Sequence, residues 1–377
     1  MPKIASIQVA VARVPLDKVT SFATRTVKAR DYALVKVRSE DGHEGIGFCY
    51  VGSTGGPIAM AAVKELLAPV LLGQESRRSE GLWNEMYKEA ILQGRAGTVM
   101  RGISILDTAL WDMNARAAGV PLTQYMGCWS TTSVPAYASG GYYVEGKTPA
   151  HLGDEMRGYV EAGFRAVKMK VGRFSPREEE ARVRAARQAV GEDVELMLDA
   201  NNAWSDLPTA LRYVERFEQY DPYFIEEPFS PDDIANHARL ARSTRIMVAT
   251  GEIEVGRWRF KELLDQGGAQ ILQTDAAVCG GITEWRRIAA LADAYGVTIC
   301  PHWFHDLHVH LVASAANSRY VEYFLDDQVL NFKRLVNRQL EFKQGNLLVP
   351  TGPGLGFEFD EQAVSRYALG EGWVNCR

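Results

Sequence analysis

The segment AVKMKVG, residues 166–172, places Lys168 and Lys170 one residue apart in an otherwise apolar run. In an extended chain alternate side chains share a face, so both ammonium groups point the same way. Their mutual repulsion and their burial each disfavour the charged form, which lowers a lysine toward the range of a usable base. Further ionisable residues follow at near-regular intervals: Asp199, Glu226, Glu252, Asp275, His302 and Glu322, separated from Lys170 onward by 29, 27, 26, 23, 27 and 20 residues. Asp199, Glu226 and Glu252 are three successive carboxylates in this series. Gathered at one point of a dry site, they stay ionised only around a cation. All-oxygen ligation favours Mg²⁺ first and Mn²⁺ second. Asp275 and His302 stand one interval apart, where a carboxylate–imidazole hydrogen bond would fix the ring's tautomer and raise its basicity. Glu322, kept protonated by burial, would donate a hydrogen bond. Such a set suits removal of a proton from the carbon beside a carboxylate, with stabilisation of the enediolate that results. Any one of these acids could equally cap a helix or pair with an arginine; the common register is what favours chemistry. His305, His308 and His310 fall outside that register and read as loop or helix residues without an acidic partner.

The spacing demands repeating elements. Short apolar segments recur from VPAYAS onward (FRAVKMKV, VELMLDA, PYFIEEP, RIMVATGE, AQILQTDA, VTICPHW, YVEYF), most of them separated by charge-rich helical stretches such as PREEEARVRAARQAVG. Eight strand-like segments about one βα unit apart predict a (β/α)₈-type barrel, in which functional groups sit at the C-terminal strand ends. A doubly wound sheet would show similar alternation, but YASGGYYVEG is not the glycine-rich phosphate loop expected after its first strand. Upstream, KIASIQVAVARVPL alternates, and DYALVKVRSEDGHEGIGFCYV reads as two strands joined at Asp41-Gly42. Helical periodicity follows in PIAMAAVKELLAPVLLG and RAGTVMRGISILDTALWDMNARAAG. The predicted organisation is an α+β domain over residues 1–125, a barrel over 126–330, and a C-terminal segment, 331–377, that begins with a hairpin and leaves the barrel to pack on the first domain.

The composition narrows the class. A formal net charge of −5 lacks the basic footprint of a nucleic-acid binder. Five cysteines without a CxxC pair suggest neither a zinc site nor a disulfide framework, as expected of a cytosolic protein. No stretch approaches the run of roughly 20 apolar residues that a membrane span needs. A soluble cytoplasmic protein without membrane or nucleic-acid partners is expected.

The series VKMKVG, MLDANNAW, FIEEPF, ATGE, QTDAAVCGGITEW, CPHWF and VEYF resembles the enolase superfamily, specifically its mandelate racemase subgroup. SILDTALWDMNARAAGVPLTQYMG and the C-terminal GLGF are similar to that group as well, so the resemblance spans nearly the whole chain. It implies a capping α+β domain on a (β/α)₇β barrel. By motif, it implies Asp199, Glu226 and Glu252 as ligands of one Mg²⁺, Lys170 as a base with Lys168 as its electrostatic partner, Asp275 and His302 as a dyad on the opposite face, Glu322 as an electrophilic acid, and Asn201 as a substrate contact. The muconate cycloisomerase branch carries a lysine on the sixth strand and usually an aspartate as third ligand; Asp275 and Glu252 at those positions disfavour it. In this family the cap supplies specificity. Its candidate segments SFATRT and YVGSTGG, read as a mobile lid, put forward Arg25 and Tyr50 as substrate contacts. YASGGYY and DEMRGY look like acid-sugar dehydratases. The resemblance thus implies a Mg²⁺-dependent hydro-lyase acting on a sugar acid, as a homo-oligomer, dimer or octamer. A 2-hydroxy-acid racemase or epimerase shares the same enediolate, and a non-catalytic paralogue is the alternative of a different class.

Overall fold

A computed structural model describes residues 2–128 and 132–376. The chain opens with three long antiparallel strands, β1 (Ile4–Ser21), β2 (Thr26–Ser39) and β3 (Glu44–Tyr50), with the β2–β3 turn at Asp41-Gly42. Helices follow from Gly56 to Leu71, over Ser79–Gly94 and over Thr98–Ala117. The last of these packs backbone against backbone on β3. A Cβ at Gly47 would lie 1.9 Å from the carbonyl oxygen of Ile105, and one at Gly45 would lie 2.1 Å from that of Ala109. Only glycine permits that approach.

Eight parallel strands form the second unit: β4 (Ser133–Ser139), β5 (Ala166–Lys170), β6 (Glu195–Asp199), β7 (Phe224–Glu226), β8 (Met247–Thr250), β9 (Ile271–Leu272), β10 (Thr298–Ile299) and β11 (Val321–Tyr323). Seven ladder-bonded joints run around the ring, from β10 through β4 to β11. The eighth joint, β10 to β11, is a single bridge between Ile299 and Ser318. Helices fill all seven connections; the α-helix described after β11, Glu361–Tyr367, packs against β1 of the cap rather than on the barrel. This is the (β/α)₇β barrel with an N-terminal α+β cap that the sequence implies.

The period-two alternation of each strand explains where charge collects. Tyr137, Ala166, Met197, Phe224, Ala249, Ile271 and Cys300 form one apolar cluster. Two residues further along, toward the C-terminal end of the strands, come Lys168, Asp199, Glu226, Gln273, His302 and their neighbours. A dry plug therefore supports a charged layer, and groups in that layer are shielded from water on one side.

The hairpin β12 (Phe342–Lys343) and β13 (Asn346–Leu348) stays on the barrel, since β13 pairs antiparallel with the start of β4. The flanking residues pack on the cap: before the hairpin Asn331 donates to the Val14 and Pro15 carbonyls and Phe332 packs on Tyr32 and Phe48, and after it β14 (Val374–Asn375) pairs with β1. The cap is fastened to the barrel through buried polar bonds. Asp107 accepts from the backbone N–H and hydroxyl of Thr283 at 2.8 and 2.7 Å, and the Trp83 indole donates to the Gly280 carbonyl at 2.6 Å. His310 bonds to the Thr123 hydroxyl at 2.7 Å and to the Leu355 carbonyl at 3.1 Å.

Candidate active site

The charged layer opens into a cavity of about 160 Å³ between barrel and cap, smaller than most ligand sites. Lys170, Asn201, Glu252, Asp275, His302 and Glu322 line it from the barrel, and Arg25 and Tyr50 line it from the cap. Lys168, Asp199 and Glu226 lie beneath its floor, almost wholly buried. All eleven residues singled out from sequence thus gather at one place.

Lys168 holds the centre. Its Nζ lies 2.6 Å from Glu226 Oε2, 2.7 Å from Glu322 Oε1 and 3.7 Å from Asp199 Oδ2. Lys170 pairs with Asp199. These partners overturn two expectations. Burial works against the Lys170 charge, but Asp199, Tyr142 and Glu226 together outweigh burial and the repulsion of Lys168, so the ammonium is raised above its ordinary range rather than lowered. Burial also favours a neutral Glu322, yet Lys168, His302 and Lys170 overcome it and hold that carboxyl at about 2. Glu322 is therefore an acceptor: its Oε2 takes the Trp303 backbone N–H at 2.8 Å, above the single-bridge joint of the ring.

On the facing side, His302 Nδ1 lies 2.9 Å from Asp275 Oδ2, and Nε2 lies 3.6 Å from Glu252 Oε2. Burial opposes an imidazolium, but Glu252 and Asp275 outweigh it and lift the ring to about 9. Asp275 has a second imidazole beside it. His308, on the buried helix His305–Val312, approaches Asp275 Oδ1 at 3.5 Å and accepts the Ala276 N–H at 3.0 Å. The expectation that His308 lacks an acidic neighbour is corrected by this contact.

Carboxylates crowd the remaining side. Burial raises Glu226 well above its ordinary value, with Asp199 and Glu252 adding repulsion and Lys168 opposing them. Burial raises Glu227 likewise, with Glu252 and Asp199 adding to it. Among the described residues no three acidic, imidazole or thiol groups stand at the spacing of a formed cation cage; Asp199 and Glu226 turn toward the lysines. The donor chemistry nevertheless fits a hard divalent cation. Asp199, Glu226 and Glu252 supply only oxygen, their charges act on one another, and Glu226 Oε1, Glu227 Oε1 and Asn201 Oδ1 are buried without a hydrogen-bond partner. Buried oxygens seldom go unpartnered.

Several lining residues have no role assigned from sequence: Glu227, which shares the fourth strand end with Glu226, and Asn202, Tyr142, Arg30, Arg101 and Trp303. Four non-glycine residues lining the cavity adopt positive φ, Asn201, Asn202, Glu227 and Trp303, as does Phe304 next to Trp303. Strain of this kind concentrates where function over-determines the backbone. At Glu227 it has a visible effect. Strict alternation would send the residue after Glu226 outward, but φ of 42° brings it to the cavity. The SFATRT segment is a tight turn closing the β1–β2 hairpin, not a glycine-rich lid. Phe22 N–H donates to the Arg25 carbonyl, the Thr24 hydroxyl donates to the Asn201 carbonyl at 3.1 Å, and Ser21 bridges to Tyr143.

A barrel whose charged layer faces a strand-built cap defines a class of enzymes, and comparison with known proteins specifies it. Residues 5–127 match the N-terminal domain model of mandelate racemase / muconate lactonizing enzyme, and residues 151–363 match the enolase C-terminal domain-like model. The chain belongs to the mandelate racemase subgroup of the enolase superfamily. It is 34% identical over 339 residues to arabinonate dehydratase of Saccharolobus solfataricus, covering 88% of this chain and 89% of that one. It is 32% identical over 361 residues to 3,6-anhydro-alpha-L-galactonate cycloisomerase of Streptomyces coelicolor, covering 95% and 97%. Among solved structures, L-talarate dehydratase from a Polaromonas species, complexed with Mg and L-glucarate, superposes with a TM-score of 0.91 at 32% identity over all of both chains.

Proposed function

We propose that this protein is a Mg²⁺-dependent acid-sugar dehydratase. The observation that carries the reading is the placement of Lys170 and His302 on facing sides of one small cavity, with carboxylates crowded between them. Relatives that dehydrate sugar acids, one of them complexed with Mg and L-glucarate, support it. Asp199, Glu226 and Glu252 would hold the cation, which supplies a Lewis acid to the substrate carboxylate.

The chain's own groups do the rest. Lys170 Nζ, whose ammonium would fall back toward a usable base where a cation draws Asp199 away from it, or His302 Nε2, according to the configuration at C2, takes the proton from C2. The C2–H electron pair moves into the C2–C3 bond, the C3–O bond breaks, and the hydroxyl leaves as water with a proton from His302. The enol then becomes a 2-keto-3-deoxy acid. Asp275 fixes the imidazole through Nδ1, so that Nε2 faces the reacting atoms. Lys168 stands beside Lys170 and opposes negative charge that develops on the substrate. Asn201 contacts the substrate from the end of β6, with Arg25 and Tyr50 above it.

Two bases on facing sides also suit a 2-hydroxy-acid racemase or epimerase, which stops at proton exchange. A Mg²⁺-supplemented screen of sugar acids in D₂O separates the two readings. Keto acid from one or a few compounds supports dehydration; deuterium at C2 without keto acid favours the racemase; silence across the set sinks both. Chelation of divalent cations is expected to abolish keto acid formation, and added Mg²⁺ to restore it. The reading extends to a cytoplasmic enzyme of sugar-acid catabolism that acts as a homo-oligomer. The five unpaired cysteines accord with a reducing compartment.

A further inference from the structure

The cap wall carries charge that this chemistry leaves unused. Arg30, on β2, is 4% exposed, yet lines the cavity. Its guanidinium carbon lies 4.9 Å from the Tyr50 ring centroid and 5.2 Å from that of Trp303. Nε–H donates to the Val329 carbonyl at 2.7 Å, and among the described residues no carboxylate comes within ion-pair distance. The adjacent Asp31 is engaged elsewhere, by Arg13 at 2.7 Å. Arg101, at the start of the helix that packs on β3, also lines the cavity. It donates to the Tyr50 carbonyl at 2.8 Å and likewise lacks a carboxylate.

Arginine keeps its charge at any ordinary pH, and a buried cation without an anion costs several kcal/mol. The fold places one such cation, Arg30, on a small cavity, with the half-buried Arg101 lining it as well. Tyr50 and Trp303, whose ring centroids lie 5.1 Å apart, flank one side of Arg30, and its remaining N–H groups are left for a planar anion. The barrel carboxylates are engaged on their own side, Asp199, Glu226 and Glu322 by the lysines and Glu252 beside His302, and none of them comes within ion-pair distance of either arginine.

Resting on the dehydratase reading, we infer that Arg30, with Arg101 beside it, receives a second carboxylate at the far end of the substrate. The sugar acid is then a dicarboxylic aldarate rather than a monocarboxylic aldonate.

The test compares aldarates and aldonates of matched configuration, galactarate against galactonate and glucarate against gluconate, with a phosphorylated aldonate as a bulkier anion. Wild type, Arg30→Met and Arg101→Met are assayed for keto acid with Mg²⁺, and binding is measured separately by calorimetry. Wild type is expected to prefer aldarates. Arg30→Met should lower kcat/KM for them roughly 30-fold or more, mainly through KM, with aldonate values little changed. Arg101→Met should act in the same direction, and it serves alone if Arg30→Met does not fold. Equal use of aldonates by wild type, a preference that survives both substitutions, or better use of the phosphorylated acid overturns the inference while leaving dehydration standing. If no compound is turned over, the dehydratase reading falls and calorimetry decides the inference. A diacid bound more tightly than its monoacid, only while the arginines are present, upholds it; equal binding overturns it.

Discussion

On the barrel wall of the cavity each ammonium group meets a carboxylate, whereas the guanidinium groups of the cap wall meet none among the described residues. Lys168 is shared by Glu226 and Glu322, and Lys170 is held by Asp199. Arg25, Arg30 and Arg101 line the same space without such partners. The barrel wall balances its charges within the chain, so its geometry is fixed before any ligand arrives. The cap wall is completed only by an anion from outside. Chemistry that must not vary sits on the first wall, and discrimination between substrates sits on the second.

The sharpest way to break this contrast is to remove the barrel's acid–base groups. Lys170→Ala and His302→Asn should each lower keto acid formation by roughly 10²–10⁴-fold. Deuterium exchange at C2 should survive in one variant and not the other, according to C2 configuration. Activity close to wild type in both would remove these residues from the reaction.

Next in size is stability. Lys168→Met strips the partner from two buried carboxylates and should cost about 3–5 kcal/mol in urea unfolding. Arg30→Met removes a cation that has no counter-ion, and should leave stability within about 1 kcal/mol of wild type or above it. Equal losses in the two variants would show that the walls do not differ in this way.

The fastening between the walls has its own pH dependence. His310 is buried between Thr123 and Leu355, and burial lowers it from 6.5 to about 4. Between those values the unfolded chain binds a proton that the folded chain refuses. Stability is therefore full above pH 6.5 and falls as pH drops toward 4, by on the order of 3 kcal/mol. His310→Gln should flatten that part of the profile in thermal melts taken across the window. The smallest effect is expected at the hairpin tip. Thr24→Val loses one hydrogen bond to Asn201, worth about 1 kcal/mol, and should change KM by less than about fivefold.

What the sequence made legible, and what it did not, follows the same division. The acids and His302 were readable because each stands at or past a strand end of one repeating unit, and the strand period puts all but Glu252 on the inner face; Glu252, out of phase with Ala249, lies past the end of β8. Their charge states were not. A pKa turns on distances across the ring, such as Lys168 to Glu322, which spacing along the chain does not contain. Glu227 was visible at the same strand end as Glu226, but alternation alone turns it away from the cavity, and the left-handed backbone that brings it there is not written in the spacing. Arg30 was hidden because an arginine on a cap strand reads as solvated until the barrel covers it. The hairpin turn at residues 22–25 was obscured by the polar residues of LDKVTS, which pairing with β2 nonetheless extends into a strand, with a register shift between Pro15 and Thr20.

Mechanically, the barrel is a split ring rather than a hoop. Seven of its joints are ladders, and the eighth has one backbone bridge below and the Glu322–Trp303 stitch above. A split ring can change its diameter without tearing any ladder. The carboxylate that closes this gap also binds Lys168, so one side chain carries both the closure of the ring and part of the charge balance at its centre.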